Sequence, residues 1–381
     1  MGERGAKTAW SRALPGLMAA AVALGLVAIA ASLSTAQEPP AKGNANAKAP
    51  RAKGPAARKK APPNAADPLA PKNKAEEIPR EAPVGSYHYR LKLKTFDNTS
   101  LAAAYFPAKL ETNTPVVLLV HEKERSSKDF EDSISELKNQ GMAEHLQSLG
   151  YAVLSFDLRG HGANTRRALS DRDWRDMVYD LQAVYQFLLD RHNRGELNLA
   201  KFGVVALGEG ANLVAAWAIS PGGAVSSEGR ASDLAAIVLI SPLAEGEGQS
   251  FSRLISTLSP RIPMLLMAGE RDAASHEPLK LVRAGVEKTR QNKVTLFPSS
   301  LHGYKLLRLE PKSAADVVKF LEATVRLKAG DWEPRYNLTP LIYNDIQVVH
   351  HIKVDDKEKA KEKEQERGKE KEAPKAKDDA K

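Results

Sequence analysis

Cysteine is missing from all 381 residues, which excludes disulfides, thiolate metal sites and lipidated thiols. Large apolar residues are nearly missing from Gln37 to Pro83, where Pro, Ala, Lys and Asn dominate. That stretch cannot bury enough surface to fold and reads as a disordered linker. An apolar stripe is missing from Lys353 to Lys381, a Lys/Glu mixture that reads as a solvated charged tail. A broad basic face is missing as well, despite a formal charge of +9. The linker carries 10 Lys or Arg against 5 Asp or Glu, the first 36 residues add +2, and the tail carries 11 against 10, which leaves 84–352 at +1. With no nucleic-acid motif beside it, a near-neutral body argues against a nucleic-acid partner.

What is present begins with Arg4, Lys7 and Arg12, an apolar run from Ala13 to Leu33, and the small residues Ser34-Thr35-Ala36. A basic start, an apolar middle and a small-residue end predict an export signal over 1–36. The run is also long enough to remain as an N-terminal membrane anchor. Either reading places the body outside the cytoplasm: periplasmic, secreted or anchored facing outward.

Over 84–330 short apolar runs alternate with amphipathic stretches. Tyr87 to Lys94 and Leu101 to Phe106 read as outer strands, and Val116 to Val120, Tyr151 to Phe156 and Phe202 to Ala206 as buried ones. Ile237 to Ile240, Met264 to Met267 and Val294 to Phe297 complete the set. Helices are predicted near Ile134 to Leu149, Trp174 to Asp190, Ala211 to Ile219 and Ala314 to Leu327. The pattern predicts an α/β fold, doubly wound, with a mostly parallel sheet, helices on both faces and a crevice beyond the carboxyl ends of the strands. Asp331 to Ile352, with Trp332, Pro334 and Tyr336, is expected to pack along the body as a C-terminal extension.

The stretch Leu149-Gly150-Tyr151-Ala152-Val153-Leu154-Ser155-Phe156-Asp157-Leu158-Arg159-Gly160-His161-Gly162 closely resembles the strand-and-DxRGHG segment of α/β-hydrolases, above all their dienelactone hydrolase and serine aminopeptidase-like branches. That resemblance implies a nucleophile elbow, G-x-S-x-G, between the next strand and helix. The turn here reads Ala206-Leu207-Gly208-Glu209-Gly210, so Gly208 stands at the serine position. A glycine has no atom with which to attack a carbonyl. The resemblance also implies an acid in Gly269-Glu270-Arg271-Asp272 and a base in Leu301-His302-Gly303, so Asp272 and His302 are a vestigial triad pair. A second departure lies at the oxyanion loop: the family's His-Gly is His121-Glu122 here, which adds a side chain and a negative charge where an oxyanion would form.

Two independent departures point to a pseudoenzyme that binds a small molecule or protein partner, with Glu122, Glu209 and His121 as ligand-binding candidates. The alternative is an ester or peptide hydrolase that uses His302 and Asp272 with activated water, or with a displaced nucleophile at Ser241, Ser299 or Ser300. A serine restored at position 208 is expected to complete the triad. No cofactor is expected. His350-His351 and His161 lack the carboxylate spacing of a metal site.

Overall fold

The computed structural model describes residues 87–164, 169–220, 233–246, 248–335 and 343–351. The segments read as an export signal, a linker and a charged tail lie outside the described residues, as do 336–342 and Ile352 of the C-terminal extension. Among the described residues no helix is long and apolar enough to cross a membrane.

The main sheet has nine strands: β1 (Tyr87–Lys94), β2 (Ser100–Phe106), β3 (Val116–Val120), β4 (Ala152–Phe156), β5 (Phe202–Leu207), β6 (Leu234–Ile240), β9 (Met264–Gly269), β10 (Lys293–Phe297) and β11 (Tyr343–His350). The remaining two, β7 (Glu245–Gly246) and β8 (Gln249–Ser250), form a small antiparallel ribbon. The order is β10-β9-β6-β5-β3-β4-β2-β1-β11. The six strands from β10 to β4 run parallel, and β2, β1 and β11 add antiparallel pairings at one edge. Every residue of β3, β4, β5, β6 and β9 is buried, as near-continuous Val, Leu and Ile runs require when helices cover both faces.

Helices α2 (Asp171–Asn193), α3 (Gly208–Ile219), α4 (Phe251–Leu258) and α5 (Ala273–Val286) share one hydrophobic cluster with one face of the sheet. Helices α1 (Met142–Ser148), α6 (Gly303–Leu309) and α7 (Ser313–Leu321) share the other. From β3 the chain steps outward to β4, then crosses back to β5 on the other side of β3. The connections after β3 and β5 therefore diverge to opposite faces, and a crevice opens between Val120 and Leu207.

The expected helix from Ile134 to Leu149 is cut to Met142–Ser148. Lys138 and Asn139 have φ of 56° and 59°, which no helix contains, and at Gly141 an added Cβ would lie 2.6 Å from the Glu131 backbone. Beyond α7 the expected last helix continues as a π-helical turn, Glu322–Arg326.

The Asp157-to-Gly162 segment is built from charge and a missing Cβ. Asp157 Oδ1 accepts from the Ser127 amide and hydroxyl, and Oδ2 accepts from the Ala163 amide at 2.8 Å. A Cβ on Gly162 would overlap that carboxylate, so only glycine fits at its φ of 50°. Arg159 donates through Nε and Nη2 to Asp180 Oδ1 at 2.8 and 2.6 Å, and through Nη1 to Asp97 Oδ2 at 2.8 Å. This one guanidinium joins the loop after β4 to α2 and to the β1–β2 turn.

The C-terminal segment adds its own clamps. The Trp332 indole donates to the His192 carbonyl at 2.9 Å, and the buried Arg191 guanidinium donates to Tyr343 Oη at 2.7 Å, fixing β11 against α2. Because Asp180 is wholly buried beneath Arg159, Asp180→Ala is expected to cost about 3–5 kcal/mol by stranding the cation. An Arg159→Met/Asp180→Leu double substitution should recover most of that loss. Urea unfolding midpoints of the three variants check both expectations.

Candidate active site

Four elements deliver the site. β5 ends in a tight turn into α3 with Gly208 at φ 50°, a left-handed conformation that glycine adopts without strain. Gly210, two residues on, must also lack a Cβ, which would overlap the His121 carbonyl, so α3 passes hard against the end of β3. That end carries His121 and Glu122. The turn after β9 supplies Asp272 at the start of α5, and the loop after β10 supplies His302 just ahead of α6.

The structure brings Gly208, Glu122, His302 and Asp272 together. His302 Nδ1 donates to Asp272 Oδ2 at 2.7 Å, with the Ser275 hydroxyl 3.3 Å from the same nitrogen. Holding Nδ1–H in this way leaves Nε2 as the basic atom. A Cβ built on Gly208 would sit 3.5 Å from Nε2, so the imidazole addresses the place where a nucleophile's side chain would begin. Glu122 occupies that place. The same Cβ would lie 2.7 Å from Glu122 Cβ and 3.0 Å from Oε2, and Oε2 itself is 4.0 Å from His302 Nε2. The absence of a Cβ at Gly303, with φ 49°, makes room for that carboxylate.

Glu122 is 9% exposed. Oε1 accepts weakly from the Tyr304 amide at 3.3 Å and lies 3.7 Å from Arg125 Nε, while Oε2 has no hydrogen-bond partner among the described residues. Burial pushes the carboxyl above its ordinary 4.5, against the pull of the Tyr304 amide, His302 and Arg125. Glu209 fills a second position. Its Oε2 accepts from the Lys123 amide at 3.3 Å, so a backbone donor at the mouth of the oxyanion loop already faces a carboxylate.

Both ring nitrogens of His121 are bonded within the fold. It is wholly buried, its Nε2 accepts from the Leu158 amide at 3.0 Å, and its Nδ1 donates to the Glu122 carbonyl at 2.7 Å. Burial lowers its pKa to about 4 and keeps it neutral, so it acts as a strut between the loops after β3 and β4. Among the described hydrogen bonds, neither the Ser241 nor the Ser299 hydroxyl reaches His302. Ser241 is wholly buried at φ 53° with its hydroxyl unpartnered, and the Ser299 hydroxyl lies 3.4 Å from the Leu301 amide. Nothing in the sequence pattern pointed to Ser275 beside the His302–Asp272 pair. Among the described residues no group of three or more His, Asp or Glu could hold a metal ion.

A family model described as serine aminopeptidase, S33, matches residues 113–296. Similar solved structures include a Pyrococcus furiosus esterase, 16% identical over 65% of this chain and 96% of that one, with a TM-score of 0.47. A cold-adapted esterase from an Arctic intertidal metagenomic library is 17% identical over 64% and 97%, TM-score 0.47. The Pyrococcus horikoshii acylaminoacyl peptidase is 13% identical over 66% of this chain and 43% of that one, TM-score 0.47. No curated protein sequence matches the chain.

Glu122 gives the site a pH signature. A carboxyl whose folded pKa is raised holds its proton more tightly in the folded chain than in the unfolded one, so stability falls as pH rises from 4.5 through the raised value. Glu122→Gln keeps the shape and removes the titration. Its urea midpoint should fall less between pH 4.5 and 7 than that of the parent; parallel profiles would contradict the placement of Glu122.

Proposed function

We propose that this chain is an exported member of the α/β-hydrolase fold family that lacks serine-hydrolase activity and acts as a ligand- or partner-binding domain. One observation carries the reading: Glu122 fills the volume between Gly208 and His302 where a nucleophile's side chain would stand. Glycine at 208 removes the attacking atom, and the glutamate removes the space for one. Glu209 on the Lys123 amide supports the reading from another side, because a carboxylate there opposes the negative charge that acyl transfer develops on oxygen. Export rests on the basic start and apolar run of 1–36.

A second reading draws on the His302–Asp272 pair, which keeps the tautomer and orientation of a working base. With the His302 side chain 35% exposed, Nε2 could activate water toward an ester or peptide.

Fluorophosphonate labelling and p-nitrophenyl acetate turnover separate the two. The parent protein should be inert to both. Gly208→Ser alone should gain little, because Glu122 still fills the space. Gly208→Ser with Glu122→Gly should label at least about 100-fold faster than either single variant, and His302→Ala in that background should abolish the gain. Turnover by the parent protein that His302→Ala removes would overturn the binding reading in favour of the hydrolase.

A further inference from the structure

A cavity of about 340 Å³ opens on the same rim of the sheet, on the antiparallel side of the Glu122–His302 site. One wall comes from the loops after β3 and β4, through Ser127, Lys128 and Ala163. The other comes from β1, β2 and β11, through Arg90, Ala102 and Ile346. A register shift between Arg90 and Lys92, opposite Asp345 at φ 54°, bows β11 where it borders the cavity. The volume lies at the lower end of what small-molecule sites occupy.

The lining is donor-rich once internal partners are assigned. Asp157 spends both oxygens on Ser127 and Ala163, and Asp345 is paired with Lys92 at 2.7 Å. Arg90 gives one N–H to Glu131, which leaves other guanidinium donors unspent. Lys128 is exposed and makes no ion pair among the described residues, although its charge, with that of Arg90, reaches Glu131. Ala102 supplies an apolar patch on the floor, while the Leu91, Ala103 and Ile346 side chains pack into the core cluster on the other face of the sheet.

We propose that this cavity is a binding site for a small organic carboxylate, whose apolar body lies over Ala102 and whose anionic end meets Lys128 and the free face of Arg90. The site is separate from the triad positions and does not depend on whether they catalyse. It shares one loop with them: Arg125 pairs with both Glu122 and Asp129, the residue after Lys128.

The test titrates the full chain with hexanoate, its neutral isostere hexanamide, the cation hexylammonium and inorganic phosphate, read by calorimetry. Hexanoate should bind at least about tenfold more tightly than hexanamide, and hexylammonium should not bind, as a charge-assisted contact implies. Lys128→Gln, at an exposed position that does not threaten folding, should weaken hexanoate about tenfold. Ala163→Phe, which fills the mouth, should abolish binding, and His302→Ala should leave it unchanged. Phosphate binding without hexanoate binding, equal affinity for hexanoate and hexanamide, or unaltered hexanoate binding by both Lys128→Gln and Ala163→Phe would overturn the proposal.

Discussion

A side chain at position 208 and a glutamate at position 122 compete for one volume, and the site follows from which of them holds it. Close packing leaves no room for both: a Cβ at 208 would stand 2.7 Å from Glu122 Cβ, well inside contact distance. Gly208 therefore does more than omit a hydroxyl. Its bare Cα permits the buried carboxyl of Glu122, and Gly303 permits it from the other side. The same two glycines adopt φ near 50°, so the backbone and the packing ask for the same residue.

The surrounding frame is what makes the competition visible. Six parallel strands set the ends of β3 and β5 side by side, and the divergence of their connections opens the crevice there. His121, neutral and bonded at both nitrogens, fixes the loop that carries Glu122. Asp157 and Arg159 fix the next loop against Ser127, Asp180 and Asp97. Asp272 orients His302 at 2.7 Å toward a position that holds no nucleophile. The scaffold of a charge-stabilised attack is thus assembled around a carboxyl group whose pKa burial raises.

Much of this was legible in sequence because its physics is local. Val116 to Val120 is a short β-branched and leucine run and Phe202 to Ala206 a short apolar one, both suited to buried strands, and Gly208, Asp272 and His302 follow the ends of such runs. The role of Glu122 was legible only as a charge at the oxyanion loop; that it reaches back to fill the nucleophile's space depends on Gly303, which lies 181 positions further along. The internal bonding of His121 was illegible because one of its two partners, the Leu158 amide, lies in another loop. The ninth strand was illegible for a different reason: Asp345 sits at φ 54° and the register shifts beside it, which breaks the alternation by which strands are recognised. The Ile134-to-Leu149 helix was overdrawn because apolar spacing says nothing of the left-handed residues Lys138 and Asn139.

The most direct measurement is a double-mutant cycle in unfolding free energy between Gly208→Ala and Glu122→Gly. If the two positions share one volume, alanine at 208 should cost about 2–4 kcal/mol with Glu122 present, from the left-handed backbone and the overlap together. With Glu122 truncated it should cost only the backbone part, a coupling of about 1–3 kcal/mol. Costs that simply add would mean that Glu122 does not occupy the nucleophile's place, and the account of why this site lacks serine chemistry would fail.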